Sequence, residues 1–368
     1  MNIALLGFGT VGSHFYKLCE GRTDLHVAAV LSRRPRPELT CTVTADYDEI
    51  VRDPSIDIVV EVMGGIEPAY SYLCAAMRAG KHVVTANKQL MCARFDALTA
   101  LSKEMGVALR CTAAAGGGIP WLTSLSRASQ LDEITAVEGI LNGTTNYMLS
   151  AMTNSGADYA AALQKAQELG YAEADPTADV EGLDARRKLV LSADLAFGVN
   201  IKEEDIPCVG ISSITAADIA RAKEEGLTYK LIARAEKSGN AVAAFVCPTL
   251  FPSSAPEAHT DGTGNLATLY AARFGRQSFS GAGAGGYPTG SSVLRDCLDI
   301  ADGCRSFYAD SFVPRPVNHS GMQGKWLFRC MGETFVRECS AREAFNAYDS
   351  YRKNDPHALL ARYAAEEE

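Results

Sequence analysis

One acidic segment in the middle of this 368-residue chain carries the residue types and spacing that could do chemistry. It covers residues 170–188 and places five carboxylates ahead of a lysine, Lys188. Asp184 lies four residues before Lys188, so a helix would put the two side chains one turn apart on the same face. A lysine held among carboxylates can bind an ammonium group and pass a proton to a nearby oxygen. Residue types alone leave a solvated acidic loop as an equal alternative.

A helix is the element expected to position that lysine. Residues 183–191 read as helical, and the pattern runs on into the apolar residues 195–197. Because an apolar stripe is buried against other elements, this helix should hold Asp184 and Lys188 in a fixed place.

The amino-terminal strand and the turn after it indicate a nucleotide site. Residues 2–6 form a short apolar strand that leads into a complete G-x-G-x-x-G pattern and a helix through Cys19. Glycines at such a turn let a pyrophosphate approach the N–H groups at the start of the helix. Ordinary glycine-rich turns are common, so the strand–turn–helix context decides the interpretation. The predicted cofactor contacts here are Gly7, Phe8, Gly9, Thr10, Val11 and Gly12.

The residues after the second strand favour NADP over NAD. Residues 26–31 are strand-like and end in Ser32, Arg33 and Arg34. An enzyme specific for NAD usually has an acidic residue here, which binds the ribose hydroxyl. A hydroxyl and two guanidinium groups suit a 2′-phosphate instead. Two surface arginines in a loop, with NAD also accepted, are the alternative.

Strands and helices continue to alternate through the first third of the chain. Strands are predicted at residues 57–62, 82–85 and 107–110, with helices at 68–79 and 95–105. This alternation predicts an α/β fold, a Rossmann-type doubly wound parallel sheet. Ligands bind beyond the carboxyl ends of such strands, where Gly64 and Lys88 fall. Lys88 is interpreted as a cofactor or catalytic contact, with a plain surface lysine as the alternative.

Composition limits the partners. Hydrophobic residues make up 47% of the chain and charged residues 21%, as in an ordinary globular protein. The formal net charge of −9 argues against nucleic acid or an anionic membrane as a partner. No apolar run approaches a membrane span and Met1 leads straight into a strand, so a cytoplasmic protein is expected. The 11 cysteines form no C-x-x-C pair, which disfavours a zinc site.

Two further motifs give the chain a specific resemblance. Residues 113–120 read Ala-Ala-Ala-Gly-Gly-Gly-Ile-Pro, and residues 138–147 read Glu-Gly-Ile-Leu-Asn-Gly-Thr-Thr-Asn-Tyr. Together with the acidic segment, they make residues 1–300 closely resemble the homoserine dehydrogenase family. The resemblance implies reduction of L-aspartate 4-semialdehyde to L-homoserine by a nicotinamide hydride, on the route to threonine and methionine. It also implies an α+β catalytic and dimerisation domain with a mixed sheet, and hence a homodimer.

The same resemblance assigns roles to matching positions. It makes Lys188 the catalytic proton donor and acceptor, and Glu173 and Asp184 the carboxylates that bind the substrate ammonium. Asp184 can also orient Lys188, and Lys88 matches a lysine near the nicotinamide and the substrate carboxylate. Further substrate contacts are implied at Asp179, Tyr171, Gly143 and Thr144. Further cofactor contacts are implied at Gly170 and at Gly285, within the late glycine turn of residues 281–289.

The chain departs from the family pattern at a monovalent-cation site. The resemblance implies backbone carbonyl ligands from Ala115, Gly117 and Ile119, together with a glutamate whose position here is held by Thr112. A neutral hydroxyl is a poorer ligand for a hard cation than a carboxylate. Whether sodium or potassium binds therefore stays open.

The expected domain plan has three parts. A nucleotide domain covers residues 1–130 and is completed by residues 288–305, and a catalytic domain covers residues 131–287. Residues 306–368 form an appendage, interpreted as a truncated regulatory-domain remnant or a dimer contact. Within it, residues 325–330 read as a strand and residues 341–351 and 356–365 as helices.

Two other functions compete with the leading hypothesis. A related amino-acid oxidoreductase could use the same nucleotide domain. A catalytically silent NADP-binding sensor could keep only the fold, and the change at Thr112 would permit it. Retention of Glu173, Asp184 and Lys188 together argues against the sensor.

Overall fold

The computed structural model describes residues 1–304 and 313–365. The predicted boundary at residues 305 and 306 and the final three glutamates lie outside the described residues. The described strands are β1 (Asn2–Leu6), β2 (His26–Leu31), β3 (Thr42–Thr44), β4 (Ile58–Glu61), β5 (His82–Thr85), β6 (Leu109–Arg110), β7 (Ile134–Ile140), β8 (Val199–Asn200), β9 (Leu227–Ser238), β10 (Ala241–Pro252), β11 (Gly264–Ala271), β12 (Gly275–Ala282), β13 (Val313–Pro314), β14 (Gln323–Cys330), β15 (Glu333–Ser340) and β16 (Leu359–Tyr363). The described α-helices are α1 (Thr10–Cys19), α2 (Tyr47–Arg52), α3 (Ala69–Arg78), α4 (Lys88–Met105), α5 (Trp121–Leu131), α6 (Gly143–Ser155), α7 (Tyr159–Glu168), α8 (Thr177–Val180), α9 (Leu183–Phe197), α10 (Ala216–Glu224), α11 (Gly286–Ala301) and α12 (Ala341–Arg352).

The chain divides into two compact units, Met1–Ala128 with Ala282–Phe312 and Ser129–Gly281 with Val313–Glu368. The first unit is built on a parallel sheet in the order β3-β2-β1-β4-β5-β6. Strand order reverses on either side of β1, so the first turn of the chain lies where such sheets bind ligands. The predicted Rossmann-type sheet is confirmed.

In the core of the first unit, β1 packs against α1, which follows it in sequence, and against α11, from the end of the unit. Ile3 and Leu5 from β1 pack with Phe15 from α1 and Val293 from α11, and all four are fully buried. A Cβ on Gly290 would lie 3.1 Å from the backbone nitrogen of Phe15, so α11 approaches α1 closely. This packing fixes the start of α1 beneath the glycine turn.

The second unit is built on a mixed sheet in the order β12-β11-β7-β9-β10-β16-β14-β15. Its long central strands, β9 and β10, are antiparallel, and β10 pairs in parallel with β16. Helix α9 carries twelve buried residues among the fifteen in its span, which explains why it is held against the rest of its unit. The predicted mixed sheet and the predicted helix from residue 183 to residue 197 are both confirmed.

One element prediction was incomplete and another was wrong. The helix predicted at residues 95–105 is present, but α4 begins earlier, at Lys88, and is interrupted at Arg94, whose φ of −139° and ψ of 21° are non-helical. The helix predicted at residues 356–365 is instead β16, which pairs with β10 and β14. Residues 356–365 are rich in helix-forming types, which led to the helix prediction. Pairing with two neighbouring strands overrides that local propensity.

The carboxyl-terminal elements belong to the same sheet. Strands β14 and β15 form an antiparallel hairpin, and α12 begins with a capping box between Ser340 and Glu343. Trp326 from β14 and Phe345 from α12 pack against Phe245 from β10. The predicted strand at residues 325–330 and helix at residues 341–351 are confirmed, while the regulatory-remnant interpretation stays a prediction. Among the described residues, no helix combines the length and apolar character that crossing a bilayer requires.

Candidate active site

The three glycines of the first turn serve different purposes. Gly7 has a φ of +100°, which residues with a side chain rarely adopt. A Cβ on Gly12 would overlap the carbonyl oxygen of Gly7, so packing requires glycine there. A Cβ on Gly9 would meet no atom within 4 Å. Because packing leaves Gly9 unconstrained, the space beside it fits a ligand that approaches the backbone.

The start of α1 suits an anion. Gly9 is the N-cap and supplies no side-chain hydrogen bond, and the first turn contains no acidic residue. Thr10 and Val11 are the first two helical residues, while Phe8 lines the neighbouring cavity. Uncapped N–H groups at a helix start favour a phosphate.

A cavity of about 950 Å³ opens beside this turn and is lined by Ser32, Arg33 and Arg34. Both arginine side chains are exposed, while the Ser32 hydroxyl donates to the Arg34 carbonyl at 2.8 Å. The sequence prediction missed Arg36, which also lines the cavity and continues the same basic run. Its guanidinium lies 5.2 Å from the centroid of the Phe8 ring and donates to the Phe8 carbonyl at 3.3 Å. The three guanidinium groups fit a phosphorylated ribose.

Glu61, the last residue of β4, fixes the loop that carries Gly64. Its carboxylate accepts the N–H of Met63 at 2.7 Å and that of Gly64 at 3.2 Å, and the hydroxyl of Thr85 at 2.6 Å. Burial raises the pKa of Glu61. The sequence prediction missed this residue, although a carboxylate at the end of an apolar strand was a visible signal. Gly64 lines the cavity, as its predicted role requires.

Lys88 is the first residue of α4 and is half-buried. Asn87 caps that helix by accepting the N–H of Leu90 at 3.0 Å, and it donates to the carbonyl of Gly65 at 2.6 Å. The capping therefore fixes the backbone at Lys88. The role assigned to Lys88 stays a prediction.

The late glycine turn packs against the Ala-Gly-Gly-Gly loop within the first unit. Gly285 is the N-cap of α11, and the N–H of Gly118 donates to the carbonyl of Ala282 at 2.9 Å. A Cβ on Gly117 would overlap the backbone of Gly283. These glycines allow two backbone segments to touch, and the cofactor contact assigned to Gly285 stays a prediction.

Thr112 is hydrogen-bonded to a buried carboxylate, that of Asp296. Its N–H and its hydroxyl donate to the two carboxylate oxygens of Asp296, at 2.8 and 2.6 Å. Arg110 pairs with the same carboxylate at 3.0 Å. Burial is the main influence on Asp296 and raises its pKa, while Arg110 opposes that shift. The Thr112 hydroxyl is thus held by protein partners, Asp296 and Thr123.

The backbone ligands implied for a monovalent cation are also engaged. The carbonyl of Gly117 accepts the Ser292 hydroxyl at 2.5 Å, and that of Ile119 accepts the N–H of Trp121 at 2.7 Å. Ala115 is fully buried in the same loop. With no carboxylate at residue 112, these residues fit a monovalent cation poorly.

The acidic segment of the second unit contains a buried cluster of charged groups. The Lys188 Nζ lies 2.9 Å from the Asp184 Oδ2 and donates to the carbonyl of Leu141 at 2.6 Å. Asn142 donates from its Nδ2 to the same Asp184 oxygen at 2.9 Å and to Asp179 at 2.6 Å. Lys188 is 7% exposed and Asp184 is 5% exposed. These two residues therefore belong to a fixed cluster and not to a solvated loop.

The first half of the acidic segment is open to solvent. The Glu173 side chain is exposed, and Tyr171 is 44% exposed. The hydroxyl of Thr144, near the start of α6, donates to the carbonyl of Tyr171 at 2.6 Å and so ties this half to the helix. Gly170 follows α7, and a Cβ on Gly143 would lie 2.9 Å from the carbonyl oxygen of Thr263. The half of the segment that contains Tyr171 and Glu173 is thus solvated, while the half that contains Asp184 and Lys188 is buried.

Asn142 is the member of the buried cluster that sequence reasoning missed. It was visible within the Leu-Asn-Gly-Thr-Thr-Asn motif, but asparagine at a helix start is also an ordinary N-cap. Only the folded chain brings it to Asp179 and Asp184, 37 and 42 residues later.

Comparisons with known proteins agree over most of the chain. Residues 120–298 match the family described as homoserine dehydrogenase, and residues 7–111 match its NAD binding domain. A homoserine dehydrogenase of Corynebacterium glutamicum is 44% identical over 82% of this chain and 72% of its own length. That of Bacillus subtilis is 39% identical over 85% of this chain and 76% of its own length. A solved homoserine dehydrogenase of Thiobacillus denitrificans has a TM-score of 0.90 at 28% identity, covering 99% of this chain and 98% of that one.

Proposed function

Because the chain belongs to the homoserine dehydrogenase family of NAD(P)-dependent oxidoreductases, we propose that it reduces L-aspartate 4-semialdehyde to L-homoserine with NADPH. The observation that carries the proposal is the buried Lys188–Asp184 pair on α9, bonded to Asn142 and Leu141. A charged lysine fixed in this way is suited to proton transfer at a chosen oxygen.

The chain's own residues would hold the cofactor through the first unit. The backbone beside Gly9 and the start of α1 would bind the pyrophosphate, and Arg33 and Arg34 would bind the 2′-phosphate. Both guanidiniums are exposed and line the cavity, so they can reach a ligand without breaking a buried ion pair. When bound, NADPH supplies the hydride that reduces the aldehyde carbon.

Lys188 completes the reduction by giving its proton to the aldehyde oxygen. Negative charge grows on that oxygen as the hydride arrives, and a donor at that point lowers the barrier. Asp184 and the Leu141 carbonyl hold the Nζ, and in the reverse reaction the neutral amine takes the proton back. The products are the alcohol and the oxidised cofactor.

Carboxylates of the acidic segment bind the substrate's ammonium group. Glu173 is exposed and can turn toward a ligand. Asp179 and Asp184 are already fixed in position by hydrogen bonds from Asn142. A homodimer and a place in threonine and methionine synthesis are part of the same proposal, supported by family membership.

The test compares two aldehydes that differ by the ammonium group. Purified protein is mixed with NADPH and either L-aspartate 4-semialdehyde or succinate semialdehyde, and cofactor oxidation and homoserine are measured. We expect homoserine and a kcat/KM about 100-fold higher for the amino substrate, because succinate semialdehyde leaves the enzyme's carboxylates without their ammonium partner, at a cost of about 2–3 kcal/mol. NADPH binding without turnover would favour the silent sensor, and equal use of both aldehydes would favour a different oxidoreductase.

A further inference from the structure

Asn142 links three helices of the second unit at the buried cluster. It is the N-cap of α6, and its Nδ2 donates to Asp179 on α8 and to Asp184 on α9. It is 4% exposed. Resting on the function proposed above, we propose that Asn142 is a positioning residue, which holds the Asp184 carboxylate in the orientation that aims Lys188.

The hydrogen bonds determine which way the amide faces. The Asn142 Oδ1 accepts the N–H of Thr145 at 2.8 Å, and a backbone N–H can only donate. It also accepts the Thr145 hydroxyl at 3.0 Å. Reversing the amide would put N–H against N–H and would turn an oxygen toward two carboxylates. The Nδ2 group must therefore face Asp179 and Asp184.

Leu141 and Asn142, the two residues between β7 and α6, contact Lys188 and Asp184. The Leu141 carbonyl accepts a hydrogen bond from Lys188. The Asn142 side chain donates to the Asp184 oxygen that also contacts Lys188. The Lys188 Nζ, the Asp184 Oδ2 and the Leu141–Asn142 segment thus each contact the other two. A shift of the Asp184 carboxylate would move the Nζ with it.

Asn142 can do this where another cap could not. Serine ranks with asparagine as an N-cap, but it has one hydroxyl and cannot donate to two carboxylates while it accepts from the helix. An aspartate would cap the helix, but it would add a third carboxylate and remove both N–H donors. Serine and aspartate at this position can therefore keep the helix cap while they remove the contacts to the two carboxylates.

The experiment measures kcat, KM, the NADPH dissociation constant and the melting temperature for Asn142→Ser and Asn142→Asp. We expect kcat to fall about 10- to 100-fold for Asn142→Ser, because small misplacements of a reacting group cost this much. The loss should be larger for Asn142→Asp. NADPH binding should stay close to that of the unaltered protein in both variants, while the melting temperature should fall, and further for Asn142→Asp, because that change buries a third carboxylate in the cluster. The control is Asp158→Ser, which changes an exposed cap of α7 whose side chain accepts the N–H of Ala161.

Each outcome decides the proposal. A normal kcat in a folded Asn142→Ser protein, or a fall matched by Asp158→Ser, would overturn it. A lowered melting temperature with unchanged kcat would make Asn142 an ordinary cap. If Asn142→Ser does not fold, Asn142→Asp decides on the same terms, and failure of both to fold would assign the residue to stability. An unaltered protein that binds NADPH but reduces no aspartate semialdehyde would instead overturn the proposed function, and the positioning role with it.

Discussion

The glycine turn of the first unit and the lysine cluster of the second are built in opposite ways. The turn offers open space beside Gly9 and the exposed side chains of Arg33 and Arg34. In the cluster, Lys188 and Asp184 are buried, and their charged atoms already contact protein atoms. A surface that must receive and release a large anion needs space and mobile charge. A group that must deliver a proton to one oxygen needs a fixed position.

This contrast has a measurable consequence. Changes at the glycine turn should alter cofactor binding, and changes in the cluster should alter turnover.

The largest effect is expected for Lys188→Ala. Removing the proton donor should lower kcat about 10²–10⁴-fold, the usual contribution of a general acid. Steady-state kinetics with L-aspartate 4-semialdehyde measures it, and circular dichroism checks the fold. A folded variant with near-normal turnover would place the proton donor elsewhere.

Asp184→Asn should come next, with kcat about 100-fold lower and a raised KM, because the neutral amide no longer holds Lys188. Glu173→Gln is the matched variant on the exposed half of the segment. It should raise KM about tenfold through the lost ammonium contact and leave kcat within about twofold. The opposite pattern would mean that the roles of the two carboxylates are exchanged.

Replacing both Arg33 and Arg34 by alanine should weaken NADPH binding about 10- to 100-fold, since hydrogen bonds to a charged group contribute about 1.5–3 kcal/mol. NADH binding should change little, because NADH lacks the 2′-phosphate. Fluorescence titration with each cofactor measures both. Arg52→Ala is the control, since Arg52 is an exposed arginine of the same unit that pairs with Asp48. Equal losses for NADPH and NADH would mean that the arginines only shape the loop.

Gly9→Ala should have the smallest effect. The new methyl group meets no protein atom, so the melting temperature should not change. It should nonetheless weaken NADPH and NADH alike by about tenfold, because it occupies space the pyrophosphate needs. Gly12→Ala, whose methyl would overlap the Gly7 carbonyl, should instead lower the melting temperature. Unchanged cofactor binding in Gly9→Ala would exclude this turn as the pyrophosphate site.

The same contrast explains what the sequence could predict. The predictions of the strand before Gly7 and of the helix after it are confirmed. Both elements are specified by local sequence patterns. The first turns of α4, from Lys88 to the non-helical Arg94, were not predicted as helix. Strand β16 was read as a helix because all of its first four residues are buried, which leaves no alternation to recognise.

The site was predictable to the extent that its residues are neighbours in sequence. Asp184 and Lys188 lie on one helix, and their pairing followed from spacing. Asn142 reaches them only through the packing of α6 against its unit, which no local pattern encodes. Arg36 and Glu61 did carry local signals, a basic run and a carboxylate at the end of an apolar strand, but only the cavity and the loop conformation give them a place in the site.

Single-turnover measurement on Lys188→Ala tests the central claim most directly. Enzyme saturated with NADPH is mixed with saturating L-aspartate 4-semialdehyde, and the NADPH dissociation constant is measured on the same sample. The account predicts cofactor oxidation slowed at least about 100-fold, with a dissociation constant within about twofold of that of the unaltered protein. Oxidation at an undiminished rate, or a dissociation constant that weakens in parallel with the rate, would contradict it.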